Sequence, residues 1–439
     1  MEKLAIFGGE KAVANVPGEL FKWPIVTPED EAAVLEVLRR GAMSATDVTT
    51  QFEREFAAWQ GSRHALAFCN GTMALQAAMY AIGLGAGDEL ICPSKSYWGC
   101  CVQAFNLGAT VVFADIEEHS LCLDPDDLER CVGPDTRAVM VVHYLGHPAD
   151  MDRIMAFAAK HGLKVIEDVS HAQGGLYKGK KLGTFGDVGA MSLMSGKSFA
   201  IGEGGMLVTD NREAYDRALA YAHYERSDAA HIVTPYLLRY QNIALGGMKG
   251  RLNQMSAAMG RVQLKYYDER AAEIRRAMNY FWDALEGVQG VRAHRVDEAT
   301  GSTMAGWYAP HGFFVPEEAG GLALCTFCEA LNAEGFGTRP YGNFPLHTHR
   351  FFSDFDRNHT GKPTRIAYSA RDVRELDAAV KVSGAVNIFS VPWFKKYMPE
   401  AIDSYVHAVK KVLVASDELL ALPVHEPDTK GCWSFFNRQ

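Results

Sequence analysis

The chain has no surplus of positive charge. Its 439 residues carry 53 acidic and 44 basic side chains, a formal net charge of −9, and no stretch interleaves lysine or arginine with aromatics. No nucleic-acid partner is expected, because that partnership needs a basic face. Long apolar runs are also missing. Nothing approaches the roughly 20 residues of a membrane span, so no membrane partner is expected. The opening Met1-Glu-Lys-Leu-Ala-Ile-Phe-Gly-Gly9 lacks the apolar stretch of a signal peptide. Cysteines occur without a pairing pattern: nine, an odd number, are scattered mostly within apolar runs. That argues against a disulfide framework and suits free thiols in a reducing, cytoplasmic setting. The single CxxC, Cys325-Thr-Phe-Cys328, has no second pair, so two inward-packing cysteines on a helix are expected rather than a metal site. No internal repeat or low-complexity tract is present.

What remains is ordinary globular material, 48% hydrophobic and 22% charged, in a length that suits two or three domains. From Arg63 to about Asp210, short apolar runs alternate with helical patterns. His64–Phe68, Glu89–Cys92, Thr110–Ala114, Ala138–Val142, Lys164–Glu167, Gly189–Leu193 and Gly205–Thr209 read as strands. Tyr97–Leu107 and Asp150–His161 read as helices. Such alternation predicts an α/β fold, with a mostly parallel sheet between helices, in a large domain spanning 1–252. A long helix, Asn253–Leu285, carries Gln254, Glu269 and Arg275 at its polar positions and opens a smaller α+β domain, 253–439. Further helices are expected near Gly321–Gly335 and Ile402–Leu420. The polar, irregular run Phe351–Ser369 reads as an inserted surface loop.

Parallel sheets bind ligands beyond the carboxyl ends of their strands. The polar residues just after these strands, Asn70, Thr72, Asp168, His171, Ser192 and Lys197, are therefore candidates to converge. Each has a plain reading alone: a helix cap, a solvated loop residue, a core histidine. Together, a lysine after one apolar strand and an acid ending another suit pyridoxal phosphate (PLP), held as a Schiff base on lysine with an acid opposite its ring nitrogen. Lys197 precedes the turn Gly202-Glu-Gly-Gly205, whose backbone can pass close to a ligand. Asp168 would keep the ring nitrogen protonated, and His171 would bond the phenolic oxygen or orient Asp168. Gly71-Thr72 opens a helix after a strand, a seat for a phosphate, and Ser192 can add a hydroxyl. Tyr97 or Trp98 can stack on the ring.

These residues match a known family. Asn70-Gly-Thr-Met-Ala-Leu75, Glu167-Asp-Val-Ser-His171, Lys178-Gly-Lys-Lys-Leu-Gly-Thr-Phe-Gly-Asp-Val-Gly189 and Ser192 through Gly205 resemble the DegT/DnrJ/EryC1/StrS group of PLP-dependent sugar aminotransferases. The resemblance runs from about Gly8 to Leu420, with weaker matches at Gly247-Met-Lys-Gly-Arg251 and at Thr338-Arg-Pro-Tyr341 with Pro345-Leu-His347. It implies the fold of type I PLP enzymes, Lys197 for the Schiff base, Asp168 at the ring nitrogen and His171 near the phenolic oxygen. Gly71, Thr72 and Ser192 fall at phosphate positions, and counting from Pro93-Ser94 puts Tyr97 at the stacking position. The family forms homodimers whose loop Gly247–Arg251 reaches the partner's cofactor phosphate. Lys249 stands where many relatives have Asn, and Arg251 is a second candidate. The implied activity moves an amino group from an amino acid, glutamate or glutamine, to a keto-sugar, a nucleotide-linked keto-sugar or a keto-cyclitol. The opening Leu4-Ala-Ile-Phe-Gly-Gly-Glu-Lys-Ala12 resembles members acting on keto-cyclitols in aminoglycoside biosynthesis, and also aminohydroxybenzoate synthases. Two alternatives are a PLP-dependent dehydratase or aromatising enzyme on a cyclic ketone, and a PLP-binding regulator without turnover. In the dehydratases a histidine replaces the lysine, whereas Lys197 is present here.

Overall fold

The computed structural model describes residues 2–426; Met1 and residues 427–439, which the expected boundaries 1–252 and 253–439 include, lie outside the described residues. In chain order the strands are β1 (His64–Phe68), β2 (Glu89–Pro93), β3 (Thr110–Ala114), β4 (Thr136–Val142), β5 (Lys164–Asp168), β6 (Leu176–Tyr177), β7 (Lys180–Lys181), β8 (Val188–Ser192), β9 (Gly205–Thr209), β10 (Val291–Ala293), β11 (His311–Phe314) and β12 (Ile388–Ser390). Seven make one sheet in the order β1-β9-β8-β5-β4-β2-β3. β9 runs antiparallel to both neighbours and every other pair is parallel. Its strands are short apolar runs buried on both faces, as a sheet covered by helices on each side requires.

The helices after β1, β4 and β9 start alike. Asn70, Asp150 and Asn211 each accept a hydrogen bond from the N–H three residues on, opening Gly71–Ala81, Met151–His161 and Arg212–Ala222. Each cap satisfies an N–H that the first helical turn leaves unpaired. All the parallel strands therefore deliver their carboxyl ends, with Asn70, Ser94, His143, Asp168 and Ser192 at or beside them, to one rim of the sheet.

A second core is built from β10–β11–β12, an antiparallel sheet, with the helices Gln254–Asp283, Leu324–Ala333 and Pro399–Val414. Leu4, Val13 and Leu20 from the chain's first residues pack into it. Buried Glu334 holds them there: its carboxylate accepts from Ala5 N (2.7 Å), Ala12 N (2.9 Å) and Lys411 Nζ (2.9 Å).

Three sequence expectations change. Tyr97–Leu107 is not one helix but two short 3₁₀ segments, Trp98–Cys100 and Val102–Leu107, broken at Cys101 (φ −137°). Gly99 lets the Tyr97 ring fold back over the backbone, where a Cβ on Gly99 would lie 2.8 Å from Tyr97 Cε1. Gln254 is not a solvated helix residue. It is buried, accepts from Val48 N (2.6 Å) and donates to Ala42 O (2.7 Å), and so ties the start of the helix Asp47–Gln60 to the long helix. The 351–369 run is largely loop, but it is anchored. Phe352 and Arg365 are fully buried, and Arg365 donates to Val111 O (2.8 Å) on the sheet's outer strand and pairs with Asp377 (2.6 Å). An edge strand offers free backbone groups, and Arg365 satisfies one of them, the Val111 carbonyl. Cys325 and Cys328 are buried on their helix, and all eight described cysteines are free.

Arg365→Ala leaves Asp377 and the Val111 carbonyl without their partner. The expected loss is about 3 kcal/mol, read as a lower midpoint in urea unfolding; an unchanged midpoint contradicts the anchor.

Candidate active site

The rim of the sheet collects the chemical groups. β5 ends in two acids whose side chains take opposite sides. Glu167 is fully buried, and its carboxylate accepts from Gly183 N, Phe185 N and Gly186 N (each 2.7 Å) and from His143 Nε2 (3.1 Å). Those bonds outweigh burial and hold its pKa below the usual carboxylate range. It shapes the turn that feeds β8. Asp168 faces the rim, 6% exposed, and accepts from Ser170 N (2.9 Å). Burial raises its pKa against the pull of Ser170 and Lys197.

Lys197 lies in the loop after β8 and is 8% exposed. Its Nζ sits 3.9 Å from the centre of the Tyr308 ring, a cation held over an aromatic face. Its main chain is pinned on both sides: its N–H donates to Met194 O (2.8 Å) and its carbonyl accepts from Trp23 Nε1 (2.8 Å). The loops after β5 and β8 are tied by a buried network. Gln173 donates to Ser170 O (3.1 Å) and Ser192 O (2.7 Å), and Ser198 Oγ donates to Gln173 Oε1 (2.7 Å). Asp168 and Lys197 are thus held relative to each other by side chains that do not titrate.

His171 packs against Tyr308 (ring centres 4.6 Å) and Tyr144 (5.6 Å). Burial, then Lys197 and His311, keep its pKa well below the usual value, so the ring is neutral. Its Nδ1 accepts from Leu145 N (3.2 Å). A neutral imidazole that accepts at Nδ1 carries its proton on Nε2, which is then a donor.

The phosphate candidates also meet. A Cβ on Gly71 would lie 2.7 Å from Ser192 Cα, so only glycine lets the helix start close on Ser192. Thr72 Oγ1 and the Tyr97 ring both lie against Gly99. Burial pushes the Tyr97 phenol up to about 12, with Tyr308 adding to it. Asp168, His171, Lys197, Tyr97, Gly71, Thr72 and Ser192 therefore come together at this rim, where Tyr308 packs against Lys197 and His171. Lys249 and Arg251 stand apart. Lys249 is exposed over the Tyr224 ring (5.4 Å), and Arg251 lies 3.6 Å from Glu225, with its backbone bridged to Phe68 beside the helix start.

With this geometry in view, residues 24–376 match the DegT/DnrJ/EryC1/StrS aminotransferase family. The chain belongs to it. This aminotransferase is 31% identical to the spore coat polysaccharide biosynthesis protein SpsC of Bacillus subtilis, over 90% of the chain and 97% of that protein. It is 33% identical to an L-glutamine:2-deoxy-scyllo-inosose aminotransferase of Streptoalloteichus tenebrarius, over 81% and 85%. In three dimensions it resembles an aminotransferase from Psychrobacter cryohalolentis (TM-score 0.75, 26% identity, 91% of this chain and 100% of that one). It also resembles DesI, solved in the presence of its TDP-sugar product (TM-score 0.73, 26% identity, 95% and 98%). The fold is that of type I PLP enzymes.

Sequence reasoning missed several residues of the aminotransferase's cleft. Tyr308 arrives on a strained loop, with Ala305, Trp307 and Ala309 all at positive φ (45°, 50° and 48°), a conformation that costs energy for residues with a Cβ. Trp23 arrives from the N-terminal stretch and Trp393 from beyond β12; they pack together (6.3 Å), and Trp393 meets Tyr308 edge-on. Lys95 and Lys395 are also buried here. No local pattern marks Trp23 or Tyr308. Lys95 carried a signal in the polar run after β2.

Gly71→Ala forces a methyl into Ser192. If a cofactor phosphate sits at this helix start, the folded variant should lose most of its PLP on gel filtration, read from the absorbance ratio; full retention contradicts that placement.

Proposed function

We propose that this cleft holds PLP and transfers an amino group from an amino acid, glutamine or glutamate, to a ketone on a sugar, a nucleotide-linked sugar or a cyclitol. The convergence of three buried groups carries the reading: Lys197 stands close enough to Asp168 and to His171 to lower the pKa of each. A buried acid lacking a strong cationic partner suits a protonated ring nitrogen, and the Gly71–Ser192 contact suits a phosphate at a helix start. The substrate class is supported by the cyclitol and TDP-sugar relatives.

When bound, PLP supplies an electron sink for the charge that develops at the substrate's α-carbon. The chain supplies the rest. Asp168 keeps a proton on the ring nitrogen. The His171 Nε2–H donates to the phenolic oxygen. Lys197 holds the cofactor between turnovers and, once freed as an amine, takes the proton from the donor's α-carbon. Tyr308 and Trp23 fix where that amine stands, and burial keeps water from the carbon.

The active unit in this reading is a homodimer with shared sites. Val233, Tyr236, Tyr240 and Ile243 are 58%, 41%, 52% and 60% exposed, an apolar patch on the segment leading to Gly247–Arg251. Exposed apolar clusters mark interaction surfaces, and Lys249 beside this one is free to reach a partner's phosphate. A fully active monomer in sedimentation contradicts this. The free thiols support a reducing, cytoplasmic location.

The direct test incubates the purified protein with L-glutamine or L-glutamate and a panel of keto-sugars and keto-cyclitols. Aminated product and 2-oxoacid should form one to one. Loss of water from the acceptor without 2-oxoacid contradicts amino transfer.

A further inference from the structure

Two buried lysines of the cleft are not used by the chemistry above. Lys395 has its cation against indole faces, over Trp393 and 4.6 Å from the centre of Trp23. Lys95 has no such partner. It is 2% exposed, and its Nζ makes one hydrogen bond, to Ser383 O (3.1 Å); no carboxylate lies within ion-pair distance among the described residues. The Ser383 hydroxyl is also buried and has no hydrogen-bond partner among the described residues. An ammonium taken out of water without a counter-charge is costly, so a ligand's negative charge is the missing element.

The position fits a ligand of this reaction. Lys95 follows β2, two residues before Tyr97. The turn Gly342–Leu346 links it to the cleft: Leu346 N donates to Ser94 O (2.6 Å), and Asn343 accepts from the Tyr144 hydroxyl (2.8 Å), whose ring packs on His171. A Cβ on Gly342 would lie 3.3 Å from His311 Nε2 and 3.7 Å from the Tyr144 hydroxyl. The Lys95 charge acts on His311, and His311 acts on His171.

We infer that Lys95 and the Ser383 hydroxyl form the seat for the amino donor's carboxylate, which rests on the amino-acid donor proposed above. One ammonium and one hydroxyl match one singly charged group. A phosphate has two charges and more oxygens to satisfy. The same seat would hold the 2-oxoacid product, whose carboxylate is unchanged by the reaction.

The test compares wild type, Lys95→Met and Ser383→Ala as PLP-loaded enzymes, following the cofactor's absorbance in each half-reaction separately. Lys95→Met should raise the donor concentration for half-maximal rate by at least roughly tenfold, the size of one charge-assisted hydrogen bond, and Ser383→Ala should raise it less. The half-reaction with the aminated product should be less affected. Equal donor dependence in all three proteins overturns the seat, as does a loss confined to the acceptor side. If Lys95→Met does not fold, an unchanged Ser383→Ala overturns it alone. If no amino acid loads the wild-type enzyme, the donor reading fails. The seat is then judged by titrating succinate and inorganic phosphate. Succinate binding weakened by the substitutions supports it, and phosphate binding without succinate binding overturns it.

Discussion

A carboxylate kept out of water at the end of a parallel strand is the constraint on which this molecule turns. Asp168 is nearly buried, burial works against its charge, and Lys197 pulls its pKa back down. Such a group is unstable as a charge unless a positive partner arrives. The sheet order, the helix caps and the Gln173 network hold this acid beside a lysine and a neutral histidine. Their stabilising effect on the fold and their effect on the site are the same interactions.

The two acids ending β5 show how a strand divides labour. Glu167 faces the interior with three N–H partners and a histidine, and fixes the turn before β8. Asp168 faces the rim with few partners. Period-two alternation alone separates the structural carboxylate from the one proposed to serve the cofactor, and a one-residue slip of β5 would exchange their positions. The register of β5 against β4 and β8 therefore decides which carboxylate faces the rim.

The strands were legible because strands buried on both faces are short apolar runs between turn residues, and His64–Phe68, Thr110–Ala114 and Gly205–Thr209 appear with the bounds expected. That Lys197, Asp168, His171, Gly71, Thr72, Ser192 and Tyr97 lie near one another was legible for a related reason: they follow strand ends, and strand ends converge. What arrives from elsewhere in the chain was not legible. Trp23 travels with an N-terminal stretch that Glu334 pins to the second core, and Tyr308 depends on a loop whose strained backbone no periodicity encodes. The Tyr97–Leu107 segment was misread as a helix because composition does not show the ring of Tyr97 folding over Gly99. The composition of 351–369 does not show that a buried arginine fastens that loop to the sheet's edge. Local pattern gives the rim, whereas the groups that close it come through long-range packing.

Asp168→Asn tests the central claim most directly, because it keeps the shape and removes the charge. The account predicts that the variant still binds PLP while the rate of amino transfer falls by well over tenfold, more than about 1.4 kcal/mol of barrier. A variant that retains PLP and turns over within about tenfold of the parent would show that Asp168 is not the partner of the ring nitrogen.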